Sequence, residues 1–264
     1  MEIPNSGYKL ALCMLASGSK GNAIYVTGGG AAILIDAGLS GIEIERRLNS
    51  KGISPTDLDA IVVSHEHGDH IQGVGALSRR FDLPVYINPK TYAAGATQLG
   101  NIRDLRPFEC GVPFEIKNLR LHPFSISHDA MDPAGFAIHR NGAKIGIATD
   151  LGITTSMVKE HLKQCHLLVL EANHDPAMLI NGPYPWPLKQ RIKGRCGHLS
   201  NEDSKRLLEE VFHKKLRHVI LAHMSETNNS AERALDVVGR AIAESDIQIC
   251  VSPQNISGDM VYLR

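Results

Sequence analysis

No stretch of these 264 residues approaches the roughly 18 consecutive apolar residues of a membrane span, and residues 1–10 carry no basic region leading into a long apolar run. A membrane or exported protein is therefore disfavoured, and a soluble, cytoplasmic one is expected. Net charge is missing too: 28 basic residues balance 28 acidic ones, which argues against a globally basic nucleic-acid surface but leaves room for a local patch. Five cysteines (Cys13, Cys110, Cys165, Cys196, Cys250) are scattered without a C-x-x-C pair, as in reduced thiols rather than a disulfide framework. Linkers, low-complexity segments and a clear sequence repeat are absent. What remains is 43% hydrophobic and 21% charged, enough to bury a sizeable core in a single domain over 1–264.

Against this plain background one run stands out. Ser64-His65-Glu66-His67-Gly68-Asp69-His70 follows directly on the apolar Ala60-Ile61-Val62-Val63. Imidazole and carboxylate are ligands that zinc, manganese and iron accept. His65 and His67 alternate as side chains do in an extended segment, so both can lean toward one point. Asp69 and His70 follow a turn at Gly68 and can address a second point, a spacing that suits two metals.

Apolar periodicity predicts strands over 9–15, 23–27, 31–35, 60–63 and 84–88, then over 113–116, 119–125, 135–139, 144–149, 167–170, 219–221, 247–251 and 260–263. Helices are expected over 42–51, 71–80, 91–99, 156–164, 201–213 (with Ser200 as N-cap) and 231–244. Two blocks that each run from strands into alternating helix and strand suggest an internally duplicated α/β sandwich.

Further polar residues close other apolar runs: Asp36, His128, Asp150 and His223. The C-terminal end of a strand is where α/β sheets build their sites. Taken in order, Asp36, the H-x-H-x-D-H run at 65–70, His128, Asp150 and His223 resemble the motifs of the metallo-β-lactamase superfamily across nearly the whole chain. The resemblance implies an α/β, four-layer αβ/βα sandwich of two mixed sheets with helices on the outer faces and a centre for two divalent ions (Zn, Mn or Fe). It assigns His65, His67 and His128 to one metal and Asp69, His70 and His223 to the other, with Asp150 bridging and Asp36 orienting the ligand loop from behind.

Five segments resemble the YycJ/WalJ branch: Ala16-Ser17-Gly18-Ser19-Lys20-Gly21-Asn22, His128-Asp129-Ala130-Met131-Asp132-Pro133-Ala134-Gly135-Phe136, Glu171-Ala172-Asn173-His174-Asp175, Gly197-His198-Leu199-Ser200-Asn201 and the stretch from Ala222 to Asn229. That branch implies a nuclease, with 5′-exonuclease action on DNA and nucleic acid as the partner. RNase Z carries a long arm between its third histidine and bridging aspartate, yet only 21 residues separate His128 from Asp150. RNase J inserts a domain after that aspartate, yet the 72 residues from Asp150 to His223 are largely taken up by a strand and helices.

The same resemblance implies catalytic roles for Asp69, Asp150, His198 and Glu171: a metal-bridging hydroxide attacks phosphorus, His198 is the general acid and Glu171 its partner carboxylate. Ser19, Asn22, His174, Lys189, Arg191 and Lys193 are expected to contact substrate, the last three in a basic run that can bind phosphate. Tyr184 and Trp186 are candidates for stacking on bases. The alternative is a small-molecule metallohydrolase (cyclic phosphodiesterase, lactonase or thioesterase) using the same centre. No membrane contact is expected, and a homodimer is left open.

Overall fold

The computed structural model describes residues 9–264; the reading of the first residues as leaderless falls mostly on 1–8, outside the described residues. The first half lays down β1 (Leu10–Ala16), β2 (Ala23–Gly28), β3 (Ala31–Ile35), α1 (Gly41–Ser50), β4 (Ala60–Val62), α2 (Gly68–Ile71), α3 (Val74–Phe81), β5 (Val85–Ile87), α4 (Pro89–Leu99) and β6 (Leu105–Pro107). The second half continues with β7 (Phe114–Ile116), β8 (Leu119–Ser125), β9 (Ala134–Arg140), β10 (Ala143–Ala148), α5 (Ser156–Leu162), β11 (Leu167–Glu171), α6 (Pro176–Asn181) and α7 (Trp186–Ile192). It ends with α8 (Asn201–Val211), β12 (His218–Ala222), α9 (Ala231–Gly239), β13 (Gln248–Val251) and β14 (Met260–Leu263).

One sheet has the order β14-β1-β2-β3-β4-β5-β6 and the other β13-β12-β11-β10-β9-β8-β7. Each runs through three antiparallel pairings and then three parallel ones, counted from β14 in the first and β7 in the second. The duplication expected from element order is thus present in the topology. β3 and β10 hold equivalent places, and so do β4 and β11.

Strand residues alternate between two apolar layers. Leu12, Ile33 and Val62 meet Phe136, Ile145 and Val169 between the sheets. On the outer face of the first sheet, Leu15 and Leu34 pack with Ile44 and Leu48 of α1 and Val74 and Leu77 of α3. On the other outer face, Leu168 and Leu170 pack with Val158 of α5, Leu207 of α8 and Val238 of α9. The result is the four-layer αβ/βα sandwich of two mixed sheets. The five cysteines are all free, and no helix among the described residues is long and apolar enough to cross a membrane.

Local departures have local causes. The helix expected over 71–80 breaks into α2 and α3 because the Gly73 N–H turns to the Ala37 carbonyl at 2.7 Å, with the Leu39 carbonyl where a Cβ would stand. α4 starts early, since Pro89 fits the first turn and Asn88 accepts from the Lys90 N–H at 2.9 Å. The helix expected over 231–244 ends as α-helix at Gly239, and a 3-10 turn follows over Arg240–Ile242. Sequence periodicity does not reveal β6, α6 and α7: β6 is an exposed edge strand holding Pro107, and prolines at 176 and 187 lie in first turns, where helices tolerate them.

Candidate metal centre

The site forms where strands of both sheets end. Asp36 follows β3, the run 64–70 follows β4, Asp150 follows β10, Glu171 ends β11 and His223 follows β12. Asp36 (φ 59°), Asp150 (φ 59°) and His223 (φ 53°) adopt the left-handed conformation, which turns the chain sharply at the strand end and is uncommon outside glycine.

His65, His67 and His128 form one group. His65 Nε2 and His128 Nε2 lie 3.1 and 3.2 Å from His67 Nδ1. Two nitrogens at about 2.0–2.1 Å from a tetrahedral ion are about 3.3 Å apart, so the spacing fits shared ligation. His128 Nδ1 donates to the Gly197 carbonyl at 3.2 Å, which leaves Nε2 as the ligating atom.

Asp69, His70 and His223 form the second group, with Asp69 Oδ2 at 3.7 Å from His70 Nε2 and 3.6 Å from His223 Nε2. Asp150 lies between the groups, its Oδ2 3.3 Å from His70 and its Oδ1 3.2 Å from His223 and 3.8 Å from His128. Asp150 Oδ2 and His223 Nε2 are both buried without a hydrogen bond. Buried polar atoms are rarely left so, and a nitrogen and carboxylate donor set of this kind suits divalent transition metals. The residues therefore fit a metal centre.

Two carboxylates behind the centre aim the imidazoles. Asp36 accepts from His70 Nδ1 at 2.8 Å, from Ser64 Oγ at 2.7 Å and from the Ser64 N–H at 2.7 Å. Glu171, fully buried, accepts from His198 Nδ1 at 2.7 Å and His223 Nδ1 at 3.1 Å, while its other oxygen takes the Leu151 and Leu199 N–H groups at 2.7 and 3.1 Å. Sequence pairing linked Glu171 to His198 alone; the structure adds His223, 52 positions on.

Charge divides the centre. Burial alone would raise Asp150 and Glu171, but the imidazoles facing them prevail, holding Asp150 well below the carboxylate range and Glu171 at about 2. Burial would lower His70 and His223, but Asp150 and Asp36 push His70 well up, and Asp150, Asp69 and Glu171 carry His223 to about 10. Burial keeps His65 far below the usual imidazole value and also lowers His128. At pH 7 the metal-stripped chain thus has His65 and His128 neutral, with His70 and His223 protonated. A group raised in the folded state keeps its proton until pH passes the folded value, so metal must displace protons from His70 and His223. Affinity should rise with pH, by up to about tenfold per unit for each proton displaced, and the His223 share should end near pH 10. Calorimetry of metal loading in buffers of different ionisation enthalpy should find close to two protons released at pH 7, and none released would contradict the charge pattern.

A cleft of about 200 Å³ adjoins the centre, lined in part by Ser19, Asp129, Tyr184, Arg191, His198 and His223. Ser19 and Arg191 thus stand where substrate contacts were expected; Arg191 Nε also donates to Asp129 Oδ2 at 2.6 Å. Others do not. Asn22 is buried, its amide directed at Gly18, Asp69 and His70, so it ties the ligand loop rather than facing the cleft. Lys189 is buried too, donating to the Ile180 and Gly182 carbonyls at the end of α6, and is not a free phosphate contact. Lys193 lies over the Trp186 ring at 5.9 Å, and Trp186 is not among the residues lining the cleft. His174 is buried with Nδ1 unpartnered and lies outside the metal-competent groups. Sequence reasoning passes over Ser64 and Asp129, the latter 3.4 Å from His128 Nε2, although each is the immediate neighbour of an expected ligand.

Comparison with known proteins identifies the family. Residues 31–224 match the model of the beta-lactamase superfamily domain. The chain is 39% identical to exodeoxyribonuclease YycJ of Bacillus anthracis over 89% of its length and 90% of the relative's. It is 34% identical to exodeoxyribonuclease WalJ of Streptococcus pneumoniae over 93% and 92% of the two lengths. Among solved structures, the metallo-β-lactamase fold protein YhfI of Bacillus subtilis superposes with a TM-score of 0.73 over 96% of this chain and 99% of that one at 14% identity, a likeness of fold. The chain belongs to the β-lactamase superfamily, in the group of the YycJ and WalJ proteins, and is a metal-dependent hydrolase.

Proposed function

We propose that this hydrolase is a dinuclear nuclease that removes nucleotides from the 5′ end of DNA. The observation that carries the reading is the pair of ligand groups on either side of the buried, unpartnered Asp150 oxygen, with His198 at their rim. The names of the two long relatives support DNA as substrate.

Two divalent ions bound there would supply an activated water at neutral pH and a clamp on phosphoryl oxygens. The protein's part is to hold that charge and manage one proton. Asp69 and Asp150 provide the negative charge. Glu171 accepts the Nδ1–H of His198 and so orients the ring; in the doubly protonated ring the Nε2–H is the proton that would pass to the departing alkoxide, leaving the neutral Nδ1–H imidazole. Ester or lactone hydrolysis needs less leaving-group help, so the Glu171–His198 pair supports phosphodiester cleavage over the small-molecule alternative. Ser19 and Arg191 face the cleft and are placed to meet a phosphate.

The test is cleavage of 5′- and 3′-end-labelled single- and double-stranded DNA and RNA with Zn, Mn and Fe in turn, and Asp69→Ala as control. Release of 5′ label from DNA that disappears in Asp69→Ala supports the reading; steady turnover of a lactone, thioester or cyclic phosphodiester with every nucleic acid left intact defeats it. His198→Ala should lower kcat about 10²- to 10⁴-fold while bound metal stays unchanged.

A further inference from the structure

The strands that deliver the metal centre begin at the far side of the molecule, where a second polar concavity lies. β10 runs from Ala143 to Ala148, two residues short of Asp150, and β11 runs from just after His166 to Glu171. At about 3.3 Å per residue, the starts of these strands are roughly 20 Å from the centre. A cavity of about 450 Å³ opens there, lined by Arg120, Arg140, Lys144 and Lys215 and by the imidazoles of His139 and His166. Its other polar side chains among the described residues are the amides of Asn118, Asn141 and Gln164, and no carboxylate of a described residue lines it.

This concentration of cations occurs in a chain of zero net charge. Lys144 Nζ donates to the Lys163 carbonyl at 2.6 Å, a neutral acceptor. Among the described residues, Arg120 and Lys215 form no ion pair. Glu115 is opposite Arg120 in the β7–β8 register but lines an adjoining depression. His166 Nδ1 accepts the Lys144 N–H at 3.2 Å, so its Nε2 carries a hydrogen and is a donor. The local field registers on the imidazoles. Burial, then Lys144 and Arg120, with His122 and His161 beyond, hold His139 at about 4; burial, then His213, Lys215, Lys9 and Arg217, lower His166. An open concavity of this size, rich in cations and N–H donors, suits anionic oxygens.

We propose that this cavity binds a phosphate-bearing anion, at a site separate from the metal centre. The charge and donor geometry suit phosphate groups, whether carried by a free nucleotide or by a nucleic-acid backbone. The proposal stands independently of the nuclease reading.

The experiment follows the His139 and His166 ring signals of the full-length chain by NMR during titration with pyrophosphate, a 5′-mononucleotide and a phosphorothioate decanucleotide. Saturable shifts are expected, with the His139 midpoint moving up from about 4, because an anion beside the ring favours its protonated form. Arg120→Glu with Lys215→Glu, and the milder Arg120→Gln with Lys215→Gln, should weaken binding at least tenfold. The charge-matched pair Arg103→Glu with Arg240→Glu, outside the cavity, should change it less than twofold. Response to the small ligands alone assigns a free phosphate compound; response to the decanucleotide alone assigns the backbone. Absence of saturable shifts with all three, or equal weakening by the charge-matched pair, overturns the proposal.

Discussion

Asp150→Asn should leave a folded protein that has lost its hydrolytic activity by more than about 100-fold. Loss of even an outer partner of a metal ligand costs 10- to 100-fold, and Asp150 faces both ligand groups, His70 and His223 of one and His128 of the other. Asparagine matches the volume and tolerates the left-handed conformation at φ 59°, so the backbone should survive. What changes is chemical: one anionic oxygen becomes an amide whose hydrogens oppose a cation, and His70 and His223 lose the counter-ion they share. Metal content measured on the purified variant should fall below that of the wild type, toward one ion or none if the centre is dinuclear as proposed. Two tightly held ions together with wild-type turnover would remove Asp150 from the centre.

Gly38→Ala should be nearly as damaging without altering any ligand. A Cβ at Gly38 would lie 1.6 Å from the Asp69 carbonyl oxygen and 2.7 Å from the Asn22 nitrogen. Three segments are laced there by backbone bonds: Asn22 N–H to Asp69 O at 2.7 Å, Gly38 N–H to Asn22 O at 2.8 Å and Ala37 N–H to His70 O at 2.8 Å. Backbone cannot yield as a side-chain tip does, so the methyl must push Asp69 and His70 out of place. A stability loss on the order of 3 kcal/mol is expected, read from the urea midpoint, together with weakened metal binding. Gly30→Ala is the contrast: its φ of 78° carries strain, but nothing lies within 4 Å, and a cost of about 1 kcal/mol with metal binding intact is expected.

The strands were legible because most are buried on both faces and read as unbroken apolar runs. The candidate ligands were legible because imidazoles and carboxylates at strand ends have few other uses. Side-chain direction was not. Lys189 reads as part of a basic run, yet its ammonium group turns inward to two carbonyls; Asn22 reads as a loop amide, yet it fastens the ligand loop. Composition records a charge without its bearing. Pro176 and Pro187 lie in the first turns of α6 and α7, where a helix has no need of their missing N–H, so neither short helix shows in apolar periodicity alone. The partnership of Glu171 with His223 depends on β11 and β12 lying side by side in parallel, which no local pattern announces.

The last strand of the chain belongs to the sheet that the first strand begins: β14 pairs with β1 from Leu263 opposite Leu10 to Met260 opposite Cys13. The open edge of β1 is therefore covered only when a segment distant in sequence folds back onto it. Closing a loop of some 250 residues is an ordering step that local contacts cannot replace. Until then the first sheet presents unpaired backbone, a surface open to mispairing. Without β14 every candidate metal ligand would still be in place while the β1 edge stayed open, so closure of this sheet rests on a strand that supplies none of the site's chemistry.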